Sequence, residues 1–119
     1  MYFFDTYALV ESWLGNPRYQ PFAEHSFIAS ALNVGEFYEY LVRTLGKGKA
    51  EHFLNMNSFH LIEIDAASVC EAASFRIDHK KRHISRADAI GYVLAGKNRL
   101  KFLTGDSQFE DLKNVEFVQ

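Results

Sequence analysis

The sequence predicts an α/β fold in which a parallel sheet is wound on both faces by helices. Three observations predict it: short apolar runs that read as buried strands, stretches of helical hydrophobic spacing, and a regular alternation of the two. The first run, Tyr2-Phe3-Phe4, ends in Asp5-Thr6 and reads as a buried strand. Tyr7, Val10 and Leu14 then share one helical face with Trp13 beside them, and Gly15-Asn16-Pro17 stops that helix. Phe27-Ile28-Ala29 is the second strand. Val34, Phe37, Tyr38, Leu41, Val42 and Leu45 follow at the spacing of an amphipathic helix. Gly46-Lys47-Gly48 ends it with two glycines that permit left-handed backbone, and a brief helix is expected around 50–55.

Leu61-Ile62-Glu63-Ile64 reads as the third strand. Ala66, Val69, Cys70, Ala73 and Ile77 mark the apolar face of the next helix, with Cys70 expected in the core. That helix runs out into the basic stretch His79-Lys80-Lys81-Arg82-His83. Ser85 opens another, carrying Ala87, Ile90, Val93 and Leu94 and closing near Gly96. Leu100-Lys101-Phe102-Leu103-Thr104 and Val115-Glu116-Phe117-Val118 are the fourth and fifth strands.

Composition agrees with a globular chain and narrows the function. At 119 residues, with 48% hydrophobic and 15% aromatic residues, a single domain over 1–119 with a real core is expected. No apolar run approaches the ~20 residues of a membrane span. A lone cysteine allows no internal disulfide, and the first residues carry no basic, apolar, small-residue leader pattern, so a cytoplasmic protein is expected. Thirteen basic and 15 acidic residues give a formal charge of −2, which argues against binding nucleic acid by bulk charge.

In a doubly wound sheet, ligands bind beyond the carboxyl ends of the strands, so the residues that follow each strand carry the functional signal. Asp5 closes the first strand and Asp106 follows the fourth through Thr104-Gly105. Were those strands neighbours, only about 4.8 Å would separate them. Glu36 is expected in the first turn of the helix after strand two, and Asp88 in the first turn after Ser85. Each acid also has a capping reading. Asp5 and Asp106 suit N-caps, while Asn33-Val34-Gly35-Glu36 and Ser85-Arg86-Ala87-Asp88 both have the pattern of a capping box. Jointly they point elsewhere, because an acid cluster at a crevice repels itself unless cations neutralise it. Hard ions such as Mg²⁺ or Mn²⁺ take oxygen ligands and can activate water against a phosphodiester.

In these segments the chain resembles the PIN-domain ribonucleases, and within them the small VapC-like toxins of toxin–antitoxin pairs. The resemblance runs over nearly the whole chain. It rests on Phe3-Phe4-Asp5-Thr6, the stretch from Ile28 to Glu36, Ile84-Ser85-Arg86-Ala87-Asp88-Ala89, and Leu103-Thr104-Gly105-Asp106-Ser107-Gln108-Phe109. It implies a three-layer α/β/α fold with a five-stranded parallel sheet, and RNA cleavage dependent on Mg²⁺ or Mn²⁺. It also implies a homodimer and, for the toxins, a small antitoxin partner. Carried over by position, Asp5, Glu36, Asp88 and Asp106 are the metal ligands and catalytic acids. Thr104 and Thr6 are candidates to orient a ligand or water, and Phe109 a packing residue that fixes the Asp106 loop.

Lys80, Lys81, Arg82 and Arg86 are candidate RNA phosphate contacts, against the plainer reading of a solvated helix end. His79 and His83 lack the further ligands of a zinc site. Two other functions compete: a PIN-like module that binds RNA or protein without cleaving, and a receiver-type signalling domain with Asp65 as phosphoacceptor. The receiver lacks its acidic pair, because Asp5 is followed by Thr6-Tyr7. A haloacid-dehalogenase-type phosphatase fails too, needing an acid where Tyr7 stands. Setting four ligands aside leaves 11 carboxylates against 13 basic residues, so the metal-loaded chain need not repel RNA.

Overall fold

The computed structural model describes residues 1–24 and 26–119. The elements run β1 (Tyr2–Phe4), α1 (Thr6–Trp13), α2 (Gln20–Ala23), β2 (Phe27–Ala29), α3 (Ala31–Leu45), α4 (Lys47–Met56) and β3 (Phe59–Leu61). Then follow α5 (Ala66–Asp78), α6 (Arg86–Lys97), β4 (Lys101–Thr104), a 3₁₀ turn (Ser107–Phe109) and β5 (Val115–Phe117). The five strands pair in parallel in the order β3-β2-β1-β4-β5, the expected sheet.

Strand alternation sorts the core into two layers. Phe3, Ile28 and Phe102 point to one face and pack with Ala72 of α5 and Ala89, Ile90, Leu94 and Ala95 of α6. Their neighbours Phe4, Ala29 and Leu103 point to the other face and pack with Leu9, Phe37, Leu41 and Ala50 of α1, α3 and α4. With both faces covered, the three inner strands carry no polar residue except Thr104 and the solvent-facing Lys101. Phe109, fully buried, packs with its ring tilted against Phe102 at 4.8 Å, and Phe102 itself stacks on Phe3 at 5.9 Å. The turn after Asp106 is thereby anchored in the core, as expected of Phe109.

Three expectations are corrected. The third strand is Phe59–Leu61, registered on Phe27–Ala29, two residues earlier than the expected Leu61-Ile62-Glu63-Ile64. Ile62 N–H still donates to the Ala29 carbonyl at 2.9 Å, and the Ile62 and Ile64 side chains pack against the α5/α6 core on the way to that helix. Helix α5 also faces the other way. It buries Ser68 and Ala72, while Cys70 is exposed and Val69 and Ile77 stand 41% and 71% exposed. The residues α5 buries fully are small, because it sits closely against α6, and Phe75 packs beside them on Tyr92; Val69 and Ile77 line an open groove instead. Finally, of the two glycines after α3 only Gly46 is left-handed (φ 88°), and α4 starts at once with Gly48 inside it. No helix among the described residues is long and apolar enough to cross a membrane.

Candidate active site at the carboxyl edge of the sheet

β1 continues to β2 on one side and has β4 on its other side, so the chain reverses direction across the sheet between β1 and β4. Asp5 and Asp106 follow these two neighbouring strands. Asp5 lies at the floor, 1% exposed, with Oδ1 accepting from Ala8 N–H at 2.8 Å as the N-cap of α1. Asp106 caps the 3₁₀ turn, its Oδ1 accepting from Gln108 N–H at 3.0 Å. The capping readings are therefore correct for both, and they do not exclude the functional one. Capping spends one carboxylate oxygen in each and fixes the direction of the other.

Asp88 comes in from α6, whose N-cap Ser85 accepts from Asp88 N–H at 3.1 Å. Glu36 arrives from α3, but not from its first turn. The N-cap of α3 is Ser30, which accepts from Asn33 N–H, and the proposed Asn33 box is absent. Asn33 has another role. Fully buried, it accepts from the Ser30 hydroxyl at 2.7 Å and donates from Nδ2 to Thr6 Oγ1 at 3.2 Å. Thr6 in turn donates to Glu36 Oε1 at 2.6 Å. A relay of four side chains, with Thr6 between Asn33 and Glu36, thus holds the exposed Glu36 over the edge. Thr104, also fully buried, hydrogen-bonds Asp5 through its hydroxyl while accepting from Asp106 N–H at 3.0 Å. One hydroxyl ties two acids together.

Electrostatics shows that the four acids share one region. Burial pushes the Asp5 carboxyl well above the ordinary carboxylate range, Asp88 and Asp106 push it further, and the bonds from Thr104 and Ala8 pull against them. Asp88 is pushed up to about 6, by burial first, then by Glu36 and Asp106, against the Ser85 hydroxyl. No arginine or lysine pairs with any of the four among the described residues. The donor set is thus all carboxylate and uncompensated, which in chemical type fits a hard divalent cation. The arrangement is open: among the described residues no group of three or more His, Cys, Asp or Glu side chains stands ready to hold an ion.

Backbone approach shapes the crevice as well. A β-carbon on Gly105 would run into the Tyr7 ring and stand 2.5 Å from the Val118 carbonyl oxygen. Tyr7, read from sequence as packing, walls the site between Asp5 and Gly105. Gly105→Ala is expected to cost about 1–3 kcal/mol of stability through overpacking, measured as a lower urea midpoint at unchanged slope.

Of the basic candidates, Lys80, Lys81 and Arg86 are exposed. Arg82 is not free for phosphate: its guanidinium donates to the Gln108 carbonyl at 2.7 Å and to both Asp111 oxygens at 2.7 and 2.9 Å. Asp65 is the N-cap of α5, accepting from Ser68 N–H, which accounts for it structurally. Sequence reasoning missed Asn33 and Gln108, whose contacts span the fold; the polar identity of Asn33 inside an apolar stripe was the one available signal.

No protein-family model matches the sequence, and no curated protein matches it significantly. Solved structures do match its fold over almost its full length. A chain of a toxin–antitoxin complex from Klebsiella pneumoniae superposes with a TM-score of 0.75 at 20% identity, covering 98% of this chain and 96% of that one. VapC20 of Mycobacterium tuberculosis, a sarcin-ricin-loop-cleaving toxin, superposes with a TM-score of 0.75 at 19% identity over 99% of this chain and 97% of its own. This chain has the VapC fold. VapBC2 of Rickettsia felis, solved on a DNA fragment from its promoter, agrees with a TM-score of 0.76 at 15% identity over 98% and 96% of the two chains. The α/β fold with a five-stranded parallel sheet is the PIN-like fold of these VapC structures.

Proposed function

We propose that this chain is a metal-dependent ribonuclease that hydrolyses RNA phosphodiester bonds, the toxin of a toxin–antitoxin pair. One observation carries the reading: four carboxylates from four separate segments lie within electrostatic reach of one another at the β1/β4 switch, and among the described residues no arginine or lysine pairs with them. The fold match supports it, since VapC20 is a sarcin-ricin-loop-cleaving toxin.

Asp5, Glu36, Asp88 and Asp106 would hold a Mg²⁺ or Mn²⁺ ion. When bound, such an ion would offset phosphate charge and lower the pKa of water, so that hydroxide is available for in-line attack. The protein's own share is positioning. Thr104 and Ala8 N–H fix Asp5 at the floor, Gln108 N–H fixes Asp106, and the Ser30–Asn33–Thr6 relay fixes Glu36 at the rim. Lys80, Lys81 and Arg86 supply phosphate contacts, which position RNA without reading its sequence. A small antitoxin, as in the complexes with the same fold, is the expected protein partner. A second copy of the chain, in a homodimer, is expected as well. The exposed Val69 and Ile77 of α5 are apolar surface of the kind an interface covers.

The deciding experiment is cleavage of end-labelled RNA with Mn²⁺ or Mg²⁺, with EDTA, and with the Asp5→Asn, Asp88→Asn double variant. Cleavage that needs the ion and disappears in the variant is the expected result. Cleavage that survives EDTA, or an unimpaired double variant, overturns the assignment.

A further inference from the structure

The segment between α5 and α6 is bolted to the turn that carries Asp106, and the bolt is made by two consecutive residues. Arg82 presents its planar fork to both oxygens of Asp111 and also donates to the Gln108 carbonyl, while His83 N–H donates to Gln108 Oε1 at 3.2 Å. Gln108 is thus gripped at its carbonyl and its side chain. Its remaining backbone group, the N–H, is the one that orients the Asp106 carboxylate.

The other end of the bolt leads to Asp88. Two residues beyond Arg82, the buried Ile84 is pinned by Arg76 Nε to its carbonyl at 3.0 Å. Ser85 then caps α6 and receives Asp88 N–H. From Arg82, therefore, one short path runs through Ile84 and Ser85 to Asp88, and another through Gln108 to Asp106. Tyr92 of α6 also packs on Phe109 at 5.6 Å, so the clasp adds a polar tie to an apolar one between α6 and the Asp106 turn.

We propose that Arg82 is a positioning residue that sets the separation of Asp88 and Asp106 by clasping Gln108 and Asp111; this rests on the nuclease reading of the acidic edge. Global stability is a poor explanation for the clasp. The Asp111 side chain is 69% exposed and that of Arg82 28%, so solvent and salt screen the pair. Placement is different, because a shift of about 1 Å at a reacting group can cost a hundredfold in rate. Arg82 was also a candidate RNA contact, and the two roles make opposite predictions. A phosphate contact needs only positive charge, which lysine keeps; a clasp needs the fork, which lysine lacks.

The test compares Arg82→Lys, Asp111→Asn and the two combined, by steady-state RNA cleavage and by calorimetric titration with Mn²⁺ in the absence of RNA. Each single variant is expected to lower kcat about tenfold with KM within about twofold of wild type. The combination should fall no further than either single variant, since both break the same contact. Mn²⁺ should bind several-fold more weakly in all three, with melting temperatures within about 4 °C of wild type. An unimpaired Asp111→Asn, additive losses, or a KM effect confined to Arg82 overturns the proposal. A wild-type chain that cleaves no RNA under any metal condition overturns the nuclease reading instead, and Mn²⁺ binding unaltered by the variants still speaks against the clasp.

Discussion

Asp5→Asn is expected to lose about a thousandfold in RNA cleavage, about 4 kcal/mol of transition-state stabilisation, while the fold becomes no less stable. Both halves follow from the same environment. Asp5 is buried beside Asp88 and Asp106, and its ionised form is held against burial and like charge. Asparagine keeps an oxygen for Ala8 N–H and so preserves the cap of α1, while it removes the charge that the site resists. A residue kept only for structure would lose stability on substitution. One whose charge opposes folding and is kept regardless is explained by function. Thermal melting in EDTA alongside cleavage in Mn²⁺ checks both halves. A drop in melting temperature with activity intact would return Asp5 to the role of a plain helix cap.

The metal-free protein should lose stability as pH rises from about 4.5 to 7, and a divalent cation should restore it. Asp88 has a folded-state pKa of about 6 against an ordinary 3.8, so between those values the folded chain holds more protons than the unfolded one. Stability then falls with rising pH, by an amount on the order of 2–3 kcal/mol from Asp88, and Asp5 acts in the same direction. The groups that act oppositely do so lower down. Asp111, held at about 2 by its Arg82 bonds, and Asp65, lowered by its bonds to Ser68, favour the fold as they ionise and lose that effect in acid. Melting temperatures in EDTA should therefore decline across the upper window, and Asp88→Asn should flatten that decline. Mg²⁺ should raise the melting temperature more at pH 7 than at pH 4.5. A profile that rises from 4.5 to 7 without metal, or equal Mg²⁺ effects at both ends, would contradict the crowded-carboxylate account.

What was legible in the sequence was local. Phe27–Ala29 and Tyr2–Phe4 stand where the apolar runs placed them, because strands buried on both faces leave continuous apolar letters. Asp5 and Asp106 were legible for a related reason: each follows a strand, and the parallel topology sends such points to one edge. Features that depend on distant partners were not legible. Nothing around Leu61 tells that Phe59 rather than Ile62 meets Phe27. In α5, the stripe of larger apolar residues pointed away from the core, since close packing on α6 selects Ser68 and Ala72. Glu36 was placed one turn early because Ser30 and Asn33 are equally good caps on paper, and only burial shows that Asn33 is needed by Thr6. Arg82 read as free charge until Asp111, 29 residues on, was found in its fork.

Strand order also governs when the acidic edge comes into being. A ribosome delivers Asp5 well before Asp106, and β1 well before its neighbour β4. Until residues 101–104 slot beside β1, Phe3 and Phe4 sit on an open sheet border, and the turn that bears Asp106 has no floor on which to seat Phe109. Pairings so distant in sequence form late, after the local helices. The acidic edge is therefore complete only when β4 has closed its ladder on β1.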